Sequence, residues 1–150
     1  MGYYSISQAS RRKMLIYQKN QAKKEKSYAI SIVVPTLNEE ENIKLLFESL
    51  AGQSFRDFEV IVVDGGSEDR TVEIAEEYDA RVVVLPGYGE FISRNIGAEM
   101  AQGELLLFTC ADIVFPEKLL EKVVEKFWGD HELIALTGPD YLFGSHLLGK

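Results

Sequence analysis

The chain has 150 residues, 46% of them hydrophobic, and a net charge of -8, which suits one domain with a core of its own. Its single cysteine, Cys110, excludes an internal disulfide and a multi-cysteine zinc site. No apolar run approaches the roughly 20 residues of a membrane helix and no signal-peptide core follows Met1, so a soluble, cytoplasmic protein is expected.

The charge is divided unevenly. Residues 1–27 hold seven Lys or Arg against one acid, whereas residues 28–150 hold nine against twenty-three. That contrast predicts two parts, a basic N-terminal arm or helix over 1–27 and an α/β domain over 28–150. Within the arm, composition alone supports a helix from about Ser7 to Lys24. Its cations either form a solvated arm or approach anionic lipid at the cytoplasmic face of a membrane. The acidic remainder repels nucleic acid, so no nucleic-acid partner is expected. An anionic nucleotide can still be held where a divalent metal and a few placed cations offset the field.

From Tyr28 onward short apolar runs alternate with longer amphipathic segments, the pattern of an α/β sheet in which strand and helix take turns. Ile30–Val34 is a β-branched run stopped by Pro35. Glu39–Leu50 sets Ile43, Leu46, Phe47 and Leu50 on one helical face, with Asn38 as the expected cap and glutamates where the helix dipole favours them. Phe58–Val63 reads as the second strand, followed by Asp64-Gly65-Gly66 and a helix over Glu68–Tyr78 capped by Ser67. Arg81–Leu85 is a third strand closed by Pro86-Gly87, and Glu90–Ala101 is a third helix stopped by Gly103. Glu104–Thr109 is the most apolar strand, which predicts a central place with both faces buried. Pro116 is expected to open a helix reaching Trp128, and Leu133–Thr137 to form a fifth strand.

Ligands of open α/β sheets bind outside the carboxyl ends of the strands, and the chemistry-bearing residues fall along that edge. Asn38 follows the first strand; Asp64, Gly65, Gly66 and Ser67 follow the second. Gly87, Tyr88, Gly89 and Arg94 follow the third, and Cys110, Ala111 and Asp112 the fourth. Asp64 can accept hydrogen bonds from a base edge or a ribose hydroxyl, or it can stabilise an ordinary Asp-Gly turn. Asp112 leaves a buried strand, where an acid is costly unless it meets a metal or a donor. Magnesium or manganese suits one carboxylate plus a diphosphate, and a helix-flanking acid is the competing reading. Arg94 can fork onto a diphosphate, stack on a base, or pair with Glu90. Cys110 has no identifiable base nearby and reads as a small apolar filler rather than a thiol nucleophile. Asn95 and Gly97 suit helix packing, and His131 and His146 lack any partner at metal-ligand spacing.

Four ordered segments carry a resemblance. They are Val33-Val-Pro-Thr-Leu-Asn-Glu-Glu40 with Asn42-Ile43, Val62-Val-Asp-Gly-Gly-Ser-Glu-Asp-Arg-Thr71, Ser93-Arg-Asn-Ile-Gly-Ala98, and Gly103-Glu-Leu-Leu-Leu-Phe-Thr-Cys-Ala-Asp112. Over about residues 29–140 the set resembles the amino-terminal half of family 2 glycosyltransferases with the GT-A fold, a Rossmann-like, mostly parallel sheet with flanking helices. The resemblance implies a donor pocket that includes Thr36, Asn38 and Asp64 around the nucleoside and Arg94 beside the base or diphosphate. Pro35, Glu40, Gly65, Cys110 and Ala111 count with them as substrate-binding positions, and Asp112 as the metal contact. Two departures stand out. Cys110 replaces the first acid of the family's Asp-x-Asp motif, and Gly65 replaces the second acid of its Asp-Asp-Gly-Ser version.

The family implies inverting transfer of a sugar from a UDP- or GDP-type donor to an acceptor hydroxyl, assisted by magnesium or manganese. Its catalytic base belongs to a later part of the fold, and no residue here is assigned that role. The chain is therefore expected to be a donor-binding half that stops before the acceptor half. It is either cut from a longer enzyme, with or without membrane-associated segments, or a short module that binds a nucleotide-sugar or a partner chain without transfer. The apolar run over 141–149 favours self-association, so a homo-oligomer is an open expectation. A dinucleotide-binding oxidoreductase is disfavoured, because Pro35-Thr-Leu-Asn38 stands where Gly-x-Gly-x-x-Gly belongs.

Overall fold

The computed structural model describes residues 28–137. The basic arm with its expected helix over 7–24, Asp140, His146 and the apolar run over 141–149 lie outside the described residues.

Strand and helix alternate as the periodicity predicts: β1 (Tyr28–Thr36), α1 (Glu40–Ala51), β2 (Phe58–Asp64), α2 (Thr71–Glu77), β3 (Arg81–Val84), α3 (Glu90–Met100), β4 (Gly103–Phe108) and α4 (Leu119–Gly129). All three strand pairs are parallel, and the sheet order is β3-β2-β1-β4. The chain steps outward from β1 to β3, then returns to the other side of β1 for β4. That reversal creates a topological switch point between the carboxyl ends of β1 and β4, where ligands of such sheets bind.

β1 is the buried centre. Ile30, Ser31, Ile32, Val33 and Val34 are all fully enclosed, because strands flank both edges and helices cover both faces. On one face Ile30, Ile32 and Val34 pack with Ile43, Leu46, Phe47 and Leu50 of α1, Ile74 of α2 and Leu120 of α4. On the other, Ile61 and Val63 meet Met100 and Ala101 at the end of α3. α3 lies close because residue 97 is glycine: a Cβ there would sit 2.3 Å from Val33 Cγ1. Asn95, expected to share that packing, is instead exposed.

Several expectations need correction. β4 is an edge strand among the described residues, with Leu106 47% and Phe108 45% exposed. Its apolar run resembles a doubly covered strand, yet only β1 pairs with it and one of its faces lacks a helix. Leu133–Thr137 forms no strand, and Ile134 is 95% exposed. Gly103 opens β4 rather than ending α3, and α4 starts at Leu119 after a turn in which the Leu119 amide donates to the Pro116 carbonyl. Neither Asn38 nor Ser67 caps the helix that follows it. The cap positions fall on Glu39 and Arg70, and neither side chain makes a capping bond.

At the opposite end of the strands lies a buried polar clamp with no signature in the local sequence. Glu59 accepts from the Ser31 hydroxyl at 2.7 Å, the Gln102 amide at 2.7 Å and the Arg81 guanidinium at 2.8 Å. It joins β1, β2, β3 and the turn into β4 through one carboxylate, whose charge the Arg81 pairing compensates.

Candidate functional site

A cleft of about 360 Å³ opens at the switch point. Pro35 and Thr36, the last residues of β1, form its floor with Leu37 and Glu39 just beyond. Gly65 contributes from the end of β2. The turn into α3 supplies Tyr88 and Gly89, the start of α3 supplies Glu90 and Ser93, and the segment after β4 supplies Cys110, Ala111 and Asp112. Among the substrate positions read from the sequence, Pro35, Thr36, Gly65, Cys110, Ala111 and Asp112 therefore share one cavity. Asn38, Glu40, Asp64 and Arg94 do not line it.

Asp64 is completely buried. Its Oδ1 accepts from the Thr36 hydroxyl at 2.9 Å and the Ser67 hydroxyl at 2.5 Å, and its Oδ2 accepts from the amides of Gly66 at 2.9 Å and Ser67 at 2.7 Å. Four donors fill a carboxylate's principal acceptor positions. Gly66 makes the turn possible with φ +99°. Asp64 thus builds the wall of the cleft, which is the turn reading of this residue.

Asn38 and Glu40 lace that wall to the first loop. The Asn38 amide donates to Ser67 Oγ at 2.8 Å, while Asn38 Oδ1 accepts from the Glu68 amide at 2.9 Å. The Glu40 amide donates to Asp69 Oδ2 at 3.1 Å, and Glu40 Oε2 accepts from the Arg70 amide at 2.9 Å. The Glu39 amide donates to Thr71 Oγ1 at 2.7 Å. Each loop satisfies the exposed amides at the start of the other's helix, so the capping that was expected locally is done across the gap. Desolvation pushes the Asp69 carboxyl up, but hydrogen bonds from the Thr71 hydroxyl and amide and the Glu40 amide outweigh it and hold it below the ordinary carboxylate value.

Asp112 sits on a segment pinned at both ends. The Thr109 amide donates to the Val33 carbonyl at 3.2 Å, the Phe115 amide to Ser49 Oγ at 3.0 Å, and Gln53 Nε2 to the Pro116 carbonyl at 2.8 Å. Beside it, Arg94 is held by Glu90 Oε1, with Nη2 at 2.6 Å and Nε at 3.0 Å, and lies 5.9 Å above the Phe108 ring. Arg94 Nη2 also approaches Cys110 Sγ at 3.5 Å. Burial pushes the Cys110 thiol up; Arg94 pulls it down, but Asp112 and Glu90 add to the rise, and the net shift is upward.

The lining carries the carboxylates of Glu39, Glu90 and Asp112 and no lysine or arginine. No cluster of three or more metal-ligating side chains occurs among the described residues. That donor set suits a hard cation held by one carboxylate, with phosphate oxygens and waters completing its shell, as magnesium and manganese commonly are. Leu37, Glu39, Glu90 and Ser93 line the cleft in addition to the positions expected from the sequence. Glu39 lies inside the first motif and Ser93 inside the third, which is the signal that could have found them.

A family profile described as glycosyl transferase family 2 matches residues 31–145. The chain belongs to glycosyl transferase family 2. The described sheet and its helices are the GT-A architecture of that family. A PGL/p-HBAD biosynthesis glycosyltransferase of Mycobacterium bovis is 34% identical over 121 residues, which are 77% of this chain and 47% of that one. The crystal structure of S. aureus TarS 1-349 superposes with a TM-score of 0.65 at 34% identity, covering 68% of this chain and 33% of that one. Glucosyl-3-phosphoglycerate synthase from Mycobacterium tuberculosis, solved with Mn2+, UDP and glucosyl-3-phosphoglycerate, superposes with a TM-score of 0.51 at 29% identity, covering 70% and 41% of the two chains. The chain spans between about a fifth and a half of the length of the curated relatives it matches. No helix among its described residues is long and apolar enough to cross a membrane.

Proposed function

We propose that the cleft binds the nucleoside diphosphate of a sugar donor together with magnesium or manganese, and that the chain is the donor-binding part of an inverting glycosyltransferase. The observation that carries this reading is the convergence of all four motif segments on the switch point, with Thr36, Gly65, Ser93 and Asp112 lining one cavity. The likeness to enzymes solved with such ligands supports it: TarS 1-349 is known in complex with UDP and with UDP-GlcNAc, and the synthase with UDP and Mn2+.

The charge of the lining supports the cation. A diphosphate facing three carboxylates and no lining lysine or arginine meets repulsion unless a divalent ion intervenes. Asp112 would hold that ion, which when bound neutralises charge on the diphosphate leaving group. Arg94, kept by Glu90 beside Cys110, adds positive potential at the same end. The laced loops keep Pro35, Thr36 and Gly65 rigid, so little ordering is needed when a nucleotide enters. Inversion requires a base on the acceptor side, and none of the described residues is given that role. Residues 28–150 form the donor domain in this reading, with 1–27 as an arm.

Calorimetry with UDP and GDP, each with and without manganese, tests the reading. Manganese-dependent binding is expected, weakened at least tenfold by Asp112→Ala. Absence of binding by both nucleotides, or unchanged binding in the variant, overturns it.

A further inference from the structure

We propose that the buried hydroxyl of Ser93 contacts the bound donor directly, donating to a phosphate oxygen held at the start of α3. The inference rests on the donor-site reading above and adds to that site a residue of stated role. Its starting point is an orphaned group. The other buried polar and charged side chains all hydrogen-bond within the protein, from Ser31, whose hydroxyl donates to Glu59, to Thr109, whose hydroxyl reaches the Cys110 carbonyl at 3.4 Å. Ser93 is 2% exposed, yet among the described residues nothing accepts from its hydroxyl or donates to it. A helical serine can turn its hydroxyl back to a carbonyl of the preceding turn, as Ser49 does to Leu46 at 2.7 Å. The carbonyl one turn before Ser93 is that of Gly89, which already accepts the amides of Ile92 at 3.0 Å and of Ser93 itself at 3.1 Å. A buried hydroxyl left unpaired is costly, and its presence is explained where a ligand meets it.

Ser93 faces the cleft, and the helix sets its place there. β3 and β4 are parallel to β1, so α3, which joins them, returns against the strand direction. Gly97 of α3 packs on Val33. Ser93 lies one turn earlier, about 6 Å along the helix axis, which matches the two residues of about 3.3 Å each that separate Val33 from Pro35. It therefore stands over Pro35 in the middle of the cleft, between Gly65 on the β2 side and Asp112 beyond β4. A diphosphate reaching a cation at Asp112 from the floor of the cleft passes this point.

The surroundings of the hydroxyl suit an anion. Gly89, the cap residue of the 11-residue α3, has no side chain, and no side-chain bond caps the helix in its place. The amides of Glu90 and Phe91 in the first turn thus have no intrahelical acceptor, and the positive end of the helix dipole opens on the cleft that Gly89 and Glu90 line. Glu90, the acid of that turn, has its charge offset by Arg94 at 2.6 Å. A phosphate oxygen here turns an unpaired buried donor into a charge-assisted hydrogen bond.

The test is calorimetry of the 150-residue chain and of Ser93→Ala with manganese and either UDP or inorganic pyrophosphate, beside urea unfolding of both proteins without ligand. Ser93→Ala should weaken both ligands by about tenfold. It should leave the unfolding midpoint unchanged or raise it, because alanine fills the same buried place without an unpaired hydroxyl. Unchanged affinity for UDP overturns the inference. A loss seen with UDP alone gives the hydroxyl to the ribose and overturns the phosphate contact. A lowered unfolding midpoint means that the hydroxyl has its partner inside the protein, and overturns the premise with no ligand needed. Failure of both ligands to bind the unaltered chain overturns the donor-site reading, and this contact with it.

Discussion

Thr36 and Asp64 are register partners across β1 and β2, and the Thr36 hydroxyl donates to Asp64 Oδ1 at 2.9 Å in a fully enclosed contact. With Ser67 and Gly66 filling the remaining acceptor positions, one carboxylate fixes the ends of two strands and the loop between them. Removing it leaves the buried Thr36 hydroxyl and three part-buried donors without their acceptor, and a buried donor left unpaired costs about 1–3 kcal/mol. Asp64→Ala should lower unfolding stability by about 3 kcal/mol or more in urea titrations. A loss below about 1 kcal/mol would mean that the loop closes without this carboxylate.

The lacing between the two loops carries a pH signature. Because the Asp69 carboxyl is held below its ordinary value in the folded chain, its contribution is fully present above the unfolded carboxylate pKa of about 3.9 and is lost as pH falls through the lower folded value. Urea unfolding followed from pH 5 to pH 2 should show Asp69→Asn flattening the loss of stability below about pH 4. Parallel curves for the two proteins would assign the acid sensitivity elsewhere.

Cys110 titrates in the opposite sense. Burial favours the neutral thiol, so its alkylation rate should rise only at pH values above the ordinary thiol range of about 8.5. Its effect on stability is absent below that value and becomes destabilising as pH climbs from the unfolded toward the folded pKa. Arg94→Ala removes the cation that lowers the thiol and should move the midpoint of the pH–rate profile further upward. A midpoint that moves down in the variant contradicts the contact at 3.5 Å.

Much of this was readable in the sequence, and the misreadings share a physical cause. The alternation of short β-branched runs with amphipathic segments located every strand and helix of the described fold, because those periods report burial directly. The sequence points to Asn38 and Ser67 as caps of the helices that follow them, since a capping signal lies within a few residues. Asn38 bonds instead to Ser67 Oγ and the Glu68 amide, 29 and 30 positions away, which no local window sees, and Ser67 turns back to Asp64. The apolar run of β4 suggested two covered faces, but burial on the second face depends on what lies beside the strand rather than on the strand itself. Ile134 and Leu136 likewise form an apolar run without a neighbouring strand among the described residues. Motif order places Thr36, Cys110 and Asp112 at one edge, while Asp64 turns into the wall rather than the cavity because the Thr36 hydroxyl, on the neighbouring strand, binds it there.

The Glu59 clamp separates stability from binding. Glu59→Ala leaves the Ser31 hydroxyl, the Gln102 amide and Arg81 without their shared acceptor. A loss of about 2–4 kcal/mol is expected, discounted for the partial exposure of Arg81. Nucleotide affinity at temperatures where the variant is folded should stay within about twofold, because the clamp lies at the far ends of the strands. A large drop in affinity with an unchanged unfolding curve would reverse that assignment.

The proposal of one metal-assisted cleft at the switch point is tested most directly by amide NMR spectra of the chain with UDP and substoichiometric manganese. Paramagnetic broadening is expected at Thr109–Ile113, at Gly89–Ser93 and at Thr36–Leu37, while Glu59, Arg81 and Gln102 at the opposite end stay sharp. Broadening centred on the opposite end, or spread evenly over the acidic surface without regard to UDP, would contradict it.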